Sequence, residues 1–272
     1  MRSKDHLSDP SQPQVTHRDL VRDLLGLGVK PGQTLLVHAR VGSVGLEDGG
    51  APAVLRALRA AVGDSGNIVA PTMTMENSVT SRAHRNLIAG MSAHEVRAYR
   101  QPGFDREATP STTGRLGEAL RLAPGAVRSA HPQSSFGAIG PTAAELMAEH
   151  RLKSHLGERS PLAKLYAMNA SVLLLGVDYE RCSAFHLAEY RYVEHPPKDK
   201  YRCVVLWHGR RQWITFKDVK LDDEDFAKIG ADLEFVHGDS VKQGNVGNAL
   251  SRLIPLVLAV DHANQWMAQY RV

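Results

Sequence analysis

The chain has 272 residues, of which 43% are hydrophobic and 23% charged, and its formal net charge is +4. That is ordinary for a soluble globular protein with a sizeable core, and no apolar run approaches bilayer length, so no transmembrane helix and no membrane partner are expected. Two cysteines, Cys182 and Cys203, are too few for a disulfide framework or a cysteine zinc site and fit a reducing cytoplasm. The mild positive charge suits an anionic ligand, but no Lys/Arg block interleaved with aromatics points to nucleic acid.

Residues 1–15 are polar and proline-bearing, with no apolar signal region, and read as a disordered lead. Residues 16–272 read as a single domain. Thr16 to Leu27 opens with a cap residue and spaces its apolar positions helically. Thr34 to His38 reads as a short buried strand, and Ala39 to Gly45 as a loop with two glycines and a hydroxyl. A helix over Ala51 to Val62 follows. A strand, a Gly/Ser loop and a helix can hold a phosphate, although this loop matches neither the Walker nor the dinucleotide fingerprint, and spacing alone favours a plain connection.

Asn67 to Thr74 is the next strand, closing on the hydroxyls of Thr72 and Thr74. Met75 to Arg106 is polar and irregular, the length of a lid or a substrate-facing excursion, and it carries Asp105. His84, His94 and His131 lack metal-ligand spacing, so no metal is expected. A helix follows over Arg115 to Arg121. His131-Pro132 cannot lie within a helix; a turn histidine bonded to backbone and a catalytic histidine both fit it. Pro141 to His150 reads as a helix. Ser160-Pro161 is a cap and first-turn signal for another.

Ser171 to Val177 is an apolar run that reads as a buried strand, and Asp178 to Cys182 is its polar exit. Ser183 then reads as the cap of a helix that sets His186 and Glu189 three apart on one face. A carboxylate beside an imidazole orients the ring and makes it a better base; an ordinary ion pair on a solvated face has the same spacing. Further on, Arg202 to Trp207 and Arg211 to Phe216 read as strands about His208-Gly209-Arg210, Asp222 to Ala231 as a helix, and Leu256 to Met267 as a terminal helix. The class is α/β with α+β character: a mixed central sheet flanked by helices, with a small antiparallel hairpin near the C-terminal third.

Seven ordered pieces resemble the aminoglycoside 3-N-acetyltransferases, a family of antibiotic acetyltransferases unrelated in fold to the GCN5 type. They are Leu36 to Gly45 with Gly49-Gly50; Ala70 to Thr74; Phe104-Asp105 with Thr109-Pro110; Arg128 to Phe136; Gly157 to Leu162; Val172 to Val177 with His186 to Glu189; and Gly244 to Ala249. The resemblance runs from about Thr16 to the C-terminus. It implies acetyl transfer from acetyl-CoA to the 3-amino group of a 2-deoxystreptamine aminoglycoside, by direct attack in a ternary complex.

By the same resemblance, His38, Arg40, Val41, Gly42, Ser43, Val44 and Gly45 would lie near the CoA pyrophosphate. Thr72, Thr74, Ser160 and Pro161 would flank the pantetheine and phosphates. His186 would be the general base with Glu189 behind it, and Asp105 and Asp178 would hold the cationic substrate. Arg40 departs from the family, which usually has a small hydroxyl residue there; an arginine can pair with a cofactor phosphate or reshape the acceptor side. Acetyl-CoA would be the only co-substrate, with no metal, and the protein a cytoplasmic monomer or homodimer. The alternatives are a biosynthetic N-acetyltransferase for another amine, such as an aminophosphonate or a peptide antibiotic, and a non-catalytic protein that binds CoA or nucleic acid.

Overall fold

The computed structural model describes residues 15–46, 49–79, 81–99 and 103–271. The expected N-terminal lead falls outside these residues apart from Val15, which is buried and pairs with Leu46. α1 (His17–Leu27) begins with a reciprocal cap: the Thr16 hydroxyl accepts from the Asp19 N–H, and the Asp19 carboxylate accepts from the Thr16 N–H. Then come β1 (Thr34–Ala39), α2 (Gly50–Val62) and β2 (Asn67–Pro71). β2 ends at Pro71, and beyond it the hydroxyls of Thr72 and Thr74 donate to Ser135 and the Pro132 carbonyl.

The stretch expected to be irregular between Met75 and Arg106 instead carries two short helices, α3 (Arg82–Ile88) and α4 (Ala93–Tyr99). Each has a local start signal. Ser81 accepts from the His84 N–H, and Ser92 and Glu95 exchange the two bonds of a capping box. α5 (Arg115–Arg121), β3 (Val127–Arg128), β4 (Phe136–Ile139) and α6 (Ala143–Met147) follow. α6 is half the expected length; the chain leaves it at Ala148, where ψ is 154°. α7 (Pro161–Ala167) starts as expected, with the Ser160 hydroxyl accepting from the Leu162 N–H.

β5 (Ser171–Leu175) leads to α8 (Phe185–Ala188), a single turn. β6 (Lys198–Trp207) and β7 (Arg210–Val219) form the expected hairpin, longer at both ends. α9 (Phe226–His237) begins four residues later than predicted, and the segment ahead of it is tied by its Asp222 N–H to Glu189. β8 (Lys242–Val246) and β9 (Ala249–Pro255) form a second hairpin that the glycine-rich sequence there had hidden, and α10 (Leu256–Tyr270) closes the described chain.

Seven strands form one mixed sheet in the order β3-β4-β2-β1-β5-β9-β8, and the β6–β7 hairpin stands apart. β2, β1 and β5 are parallel neighbours, so their carboxyl ends emerge at one edge. Both faces of these strands are covered, which explains their unbroken apolar runs. Leu35, Val37, Leu173 and Leu175 pack under α1, α2 and α5. Leu36, Val172 and Leu174 face α7, α8, α9 and α10. The alternation along β1 carries His38 onto the same face as Leu36, towards α8.

Close packing behind that edge depends on Gly230 of α9. A Cβ there would come within 2.0 Å of the Tyr179 ring, which is buried just beyond β5. Gly230→Ala is expected to destabilise the protein by about 1–3 kcal/mol through overpacking, read as a lower denaturation midpoint in urea at unchanged slope.

Candidate active site

The parallel strands β1 and β5 deliver two histidines to one place at the sheet edge, the usual position for a site in an open α/β sheet. His38, at the end of β1, is buried, and its Nε2 lies 3.1 Å from the Ser183 hydroxyl and 3.4 Å from the Ser183 N–H. Ser183 therefore does not cap α8 as expected; that helix is too short to need it, and the hydroxyl ties β1 to the segment after β5. Burial, reinforced by the neighbouring His186 and Arg181, pushes the His38 imidazole down to about 3.

One turn on, His186 and Glu189 meet as the spacing predicts. His186 Nδ1 lies 2.7 Å from Glu189 Oε2. The imidazole side chain is 15% exposed and the carboxylate only 1%, so this is no solvated surface pair. Phe226 of α9 backs the ring, with centroids 4.7 Å apart. The other carboxylate oxygen, Oε1, accepts from the Asp222 N–H at 2.8 Å and from Arg271 Nη1 at 2.7 Å. A backbone N–H and a guanidinium thus hold Oε1 and leave Oε2 facing the ring. In the tautomer with its proton on Nδ1, the ring donates to Oε2 and leaves the Nε2 lone pair free.

The loop expected to lie near a pyrophosphate leaves β1 beside this pair. Arg40 and Gly42 are exposed, Val41 and Val44 are buried anchors, and Ser43 turns its hydroxyl back onto the Arg40 carbonyl. Gly176, at the end of β5, has φ of +65°, and a Cβ there would sit 2.0 Å from the Ser43 hydroxyl, so glycine is what lets the two strand exits touch. Arg181 is exposed near His38, and Arg40 is exposed two residues after it in the chain; both carry the charge that a polyanionic ligand needs. Gly45, also in this loop, has φ of +77°.

The remaining expected site residues are set differently. Thr72, Thr74, Ser160 and Pro161 are buried, and the three hydroxyls make internal hydrogen bonds. Asp105 accepts from the Glu107 and Ala108 N–H groups at a turn. Asp178 accepts from the Tyr179 N–H and lies 3.5 Å from Arg252. His131 is fully buried. Its Nδ1 accepts from the Gln133 and Ser134 N–H groups and its Nε2 faces the Leu152 carbonyl, so of its two readings the turn histidine holds. Among the described residues no group of three or more His, Cys, Asp or Glu is placed to hold a metal ion.

Sequence reasoning missed Arg271, 82 residues from Glu189, and no local pattern marks it. It also missed a buried cluster in which His131 lies 4.7 Å from His150 and 4.5 Å from His155, with Asp218 2.8 Å from His155 Nδ1.

A buried carboxylate holding an imidazole at the mouth of parallel strands defines an α/β protein equipped for proton transfer. The family model described as aminoglycoside 3-N-acetyltransferase matches residues 36–268. The chain is 36% identical over 253 residues to the prophage-derived aminoglycoside N(3')-acetyltransferase-like protein YokD of Bacillus subtilis, covering 92% of each chain. The crystal structure of YokD superposes with a TM-score of 0.83 over 96% of both chains. Identity to aminoglycoside N(3)-acetyltransferase VII of Streptomyces paromomycinus is 33%, over 95% of this chain and 93% of that one. A solved structure of AAC-IIIb in binary complex with CoASH, 28% identical, superposes with a TM-score of 0.81 over 94% of this chain and 97% of that one. The chain belongs to the aminoglycoside 3-N-acetyltransferase family. It is thereby an acyltransferase, and acetyl-CoA is the co-substrate of its family.

Proposed function

We propose that the protein transfers the acetyl group of acetyl-CoA to the 3-amino group of a 2-deoxystreptamine aminoglycoside, by direct attack in a ternary complex with His186 as general base. The observation that carries this is the 2.7 Å contact between His186 Nδ1 and the buried Glu189 carboxylate. It leaves Nε2 as the basic nitrogen at the sheet edge. An aminoglycoside amine is mostly protonated at neutral pH, so the base takes a proton as nitrogen attacks the thioester carbon and thiol leaves. The Arg40 and Arg181 rim suits the phosphates of the donor, with Val41 to Gly45 as the backbone beneath them. Such chemistry needs no cysteine nucleophile, and burial holds the thiols of Cys182 and Cys203 up at about 12. Residues 16–272 act as one unit, as a monomer or homodimer in the cytoplasm, and the product is an inactivated antibiotic.

A second reading keeps the chemistry and changes the acceptor to the amine of a biosynthetic intermediate. It is favoured by Asp105 and Asp178, which each already use Oδ1 internally, at a turn and beside Arg252, and so are not dedicated to an ammonium group. Thiol release from acetyl-CoA across gentamicin-like, neomycin-like and apramycin-like compounds separates the two; silence on all three overturns the aminoglycoside reading. With an active acceptor, Glu189→Gln is expected to lower kcat by about tenfold, because a neutral amide orients the ring but does not favour the imidazolium that forms. Parental turnover would remove Glu189 from its assigned role.

A further inference from the structure

We propose that Arg271 is a positioning residue for the reaction, fixing on which side of the His186–Glu189 contact the proton lies. The inference rests on His186 being the base. Arg271 follows α10, far along the chain, yet its guanidinium reaches under α8. Nη1 donates to Glu189 Oε1 at 2.7 Å, Nε donates to Asp225 Oδ2 at 2.6 Å, and Nη2 donates to Asp225 Oδ1 and to the Asp222 carbonyl. Asp225 thus holds the guanidinium by its fork, and the remaining nitrogen is aimed at Glu189.

The arrangement has a chemical consequence. Glu189 is buried, and among the described residues the arginine or lysine side chain bonded to it is Arg271. With the guanidinium in place the carboxylate stays ionised, accepts from Nδ1–H, and leaves Nε2 free. Without it, an uncompensated buried carboxylate is costly, and the pair takes up a second proton from solvent, which is held at Oε2. Glu189 would then donate to Nδ1, the ring would carry its proton on Nε2, and that nitrogen could no longer accept one from a substrate amine.

The other charged or titratable groups around the pair come from four directions. They are His38 at the end of β1, His155 in the segment before α7, Tyr201 of β6, and Asp222 with Asp225 ahead of α9. Arg271 is the cation among these groups that makes direct contact with the carboxylate.

The test is the pH–rate profile of Arg271→Gln and Arg271→Lys beside the parent, with acetyl-CoA affinity and thermal midpoint followed for each. For Arg271→Gln we expect kcat to fall about tenfold at neutral pH with KM for acetyl-CoA nearly unchanged. Its acid limb should move up by about one pH unit, as a dyad without its neighbouring cation binds the proton more readily. Arg271→Lys should recover most of the rate and the parental limb. Arg271→Ala should regain activity with low concentrations of guanidinium but not with urea. An unmoved acid limb, or losses that follow the thermal midpoint alone in every variant, overturn the proposal and leave Arg271 a clasp for α10. His186→Ala is run in parallel: if it stays active, the base assignment itself fails, whereas an inactive His186→Ala with a parental Arg271→Gln overturns only the role given to Arg271.

Discussion

His186→Ala is expected to lower acetyl transfer by about 10²–10⁴-fold, the usual contribution of a general base, while acetyl-CoA still binds. The exposed Arg40 and Arg181, proposed to meet the cofactor, do not depend on the imidazole, and ring removal leaves the packing of Phe185, Leu187 and Ala188 in place. The second histidine nearby cannot take over. His38 is free of its proton at neutral pH, but at about 3 its affinity for one is too low to draw it from an ammonium group. Its Nε2 is also occupied by Ser183. Thiol release at saturating substrates gives the rate, and calorimetric titration with CoA gives the binding. A variant that keeps its turnover excludes His186 as the base; one that loses CoA affinity to the same degree as its rate shows a disrupted site instead.

Acid is expected to unfold the protein well above the carboxylate range. Three histidines are folded in their neutral form. Burial pushes His38 and His150 down to about 3 and His131 well below its ordinary value, and the imidazoles packed around His131 disfavour a charge there further. The sign follows from proton counting: below about pH 6.5 the unfolded chain binds protons at these positions and the native one does not, so stability falls as pH falls. Each histidine then removes about 1.4 kcal/mol per pH unit. For His38 and His150 the loss continues down to about pH 3, and His131 adds to it in the same direction. Asp218 adds to the loss at lower pH still. Burial alone would raise it, but hydrogen bonds from His155 and Val219 hold it below the usual carboxylate range, so its contribution disappears only as it is protonated. The urea midpoint should therefore fall steadily between pH 7 and pH 5, and His150→Gln should flatten the slope. An equal midpoint at both pH values would contradict neutral buried histidines.

Much of this molecule is legible from local pattern. The reciprocal cap at Thr16 and Asp19, the Ser160-Pro161 helix start and the His186–Glu189 pair each involve groups within one turn of each other, so their spacing in the chain dictates their spacing in space. The same rule was available at Ser92 and Glu95, where a capping box lay inside a stretch read as irregular. The glycine-rich run before Ile254 misled for the opposite reason. β8 is held by its pairing with β9 at the edge of the sheet rather than by side chains that advertise a strand.

From its sequence alone, then, the strands β1, β2 and β5, the β6–β7 hairpin, most of the helices and the contact between the imidazole and the carboxylate are determined, because backbone geometry brings near neighbours together whatever the rest of the chain does. Tertiary packing alone decided that His38 is neutral and tied to Ser183, that Thr72 and Thr74 turn inward, and that the charge of Glu189 is met by Arg271. Those outcomes depend on desolvation and on charges brought together across long stretches of chain, and burial and distance exist only once the sheet has its strand order.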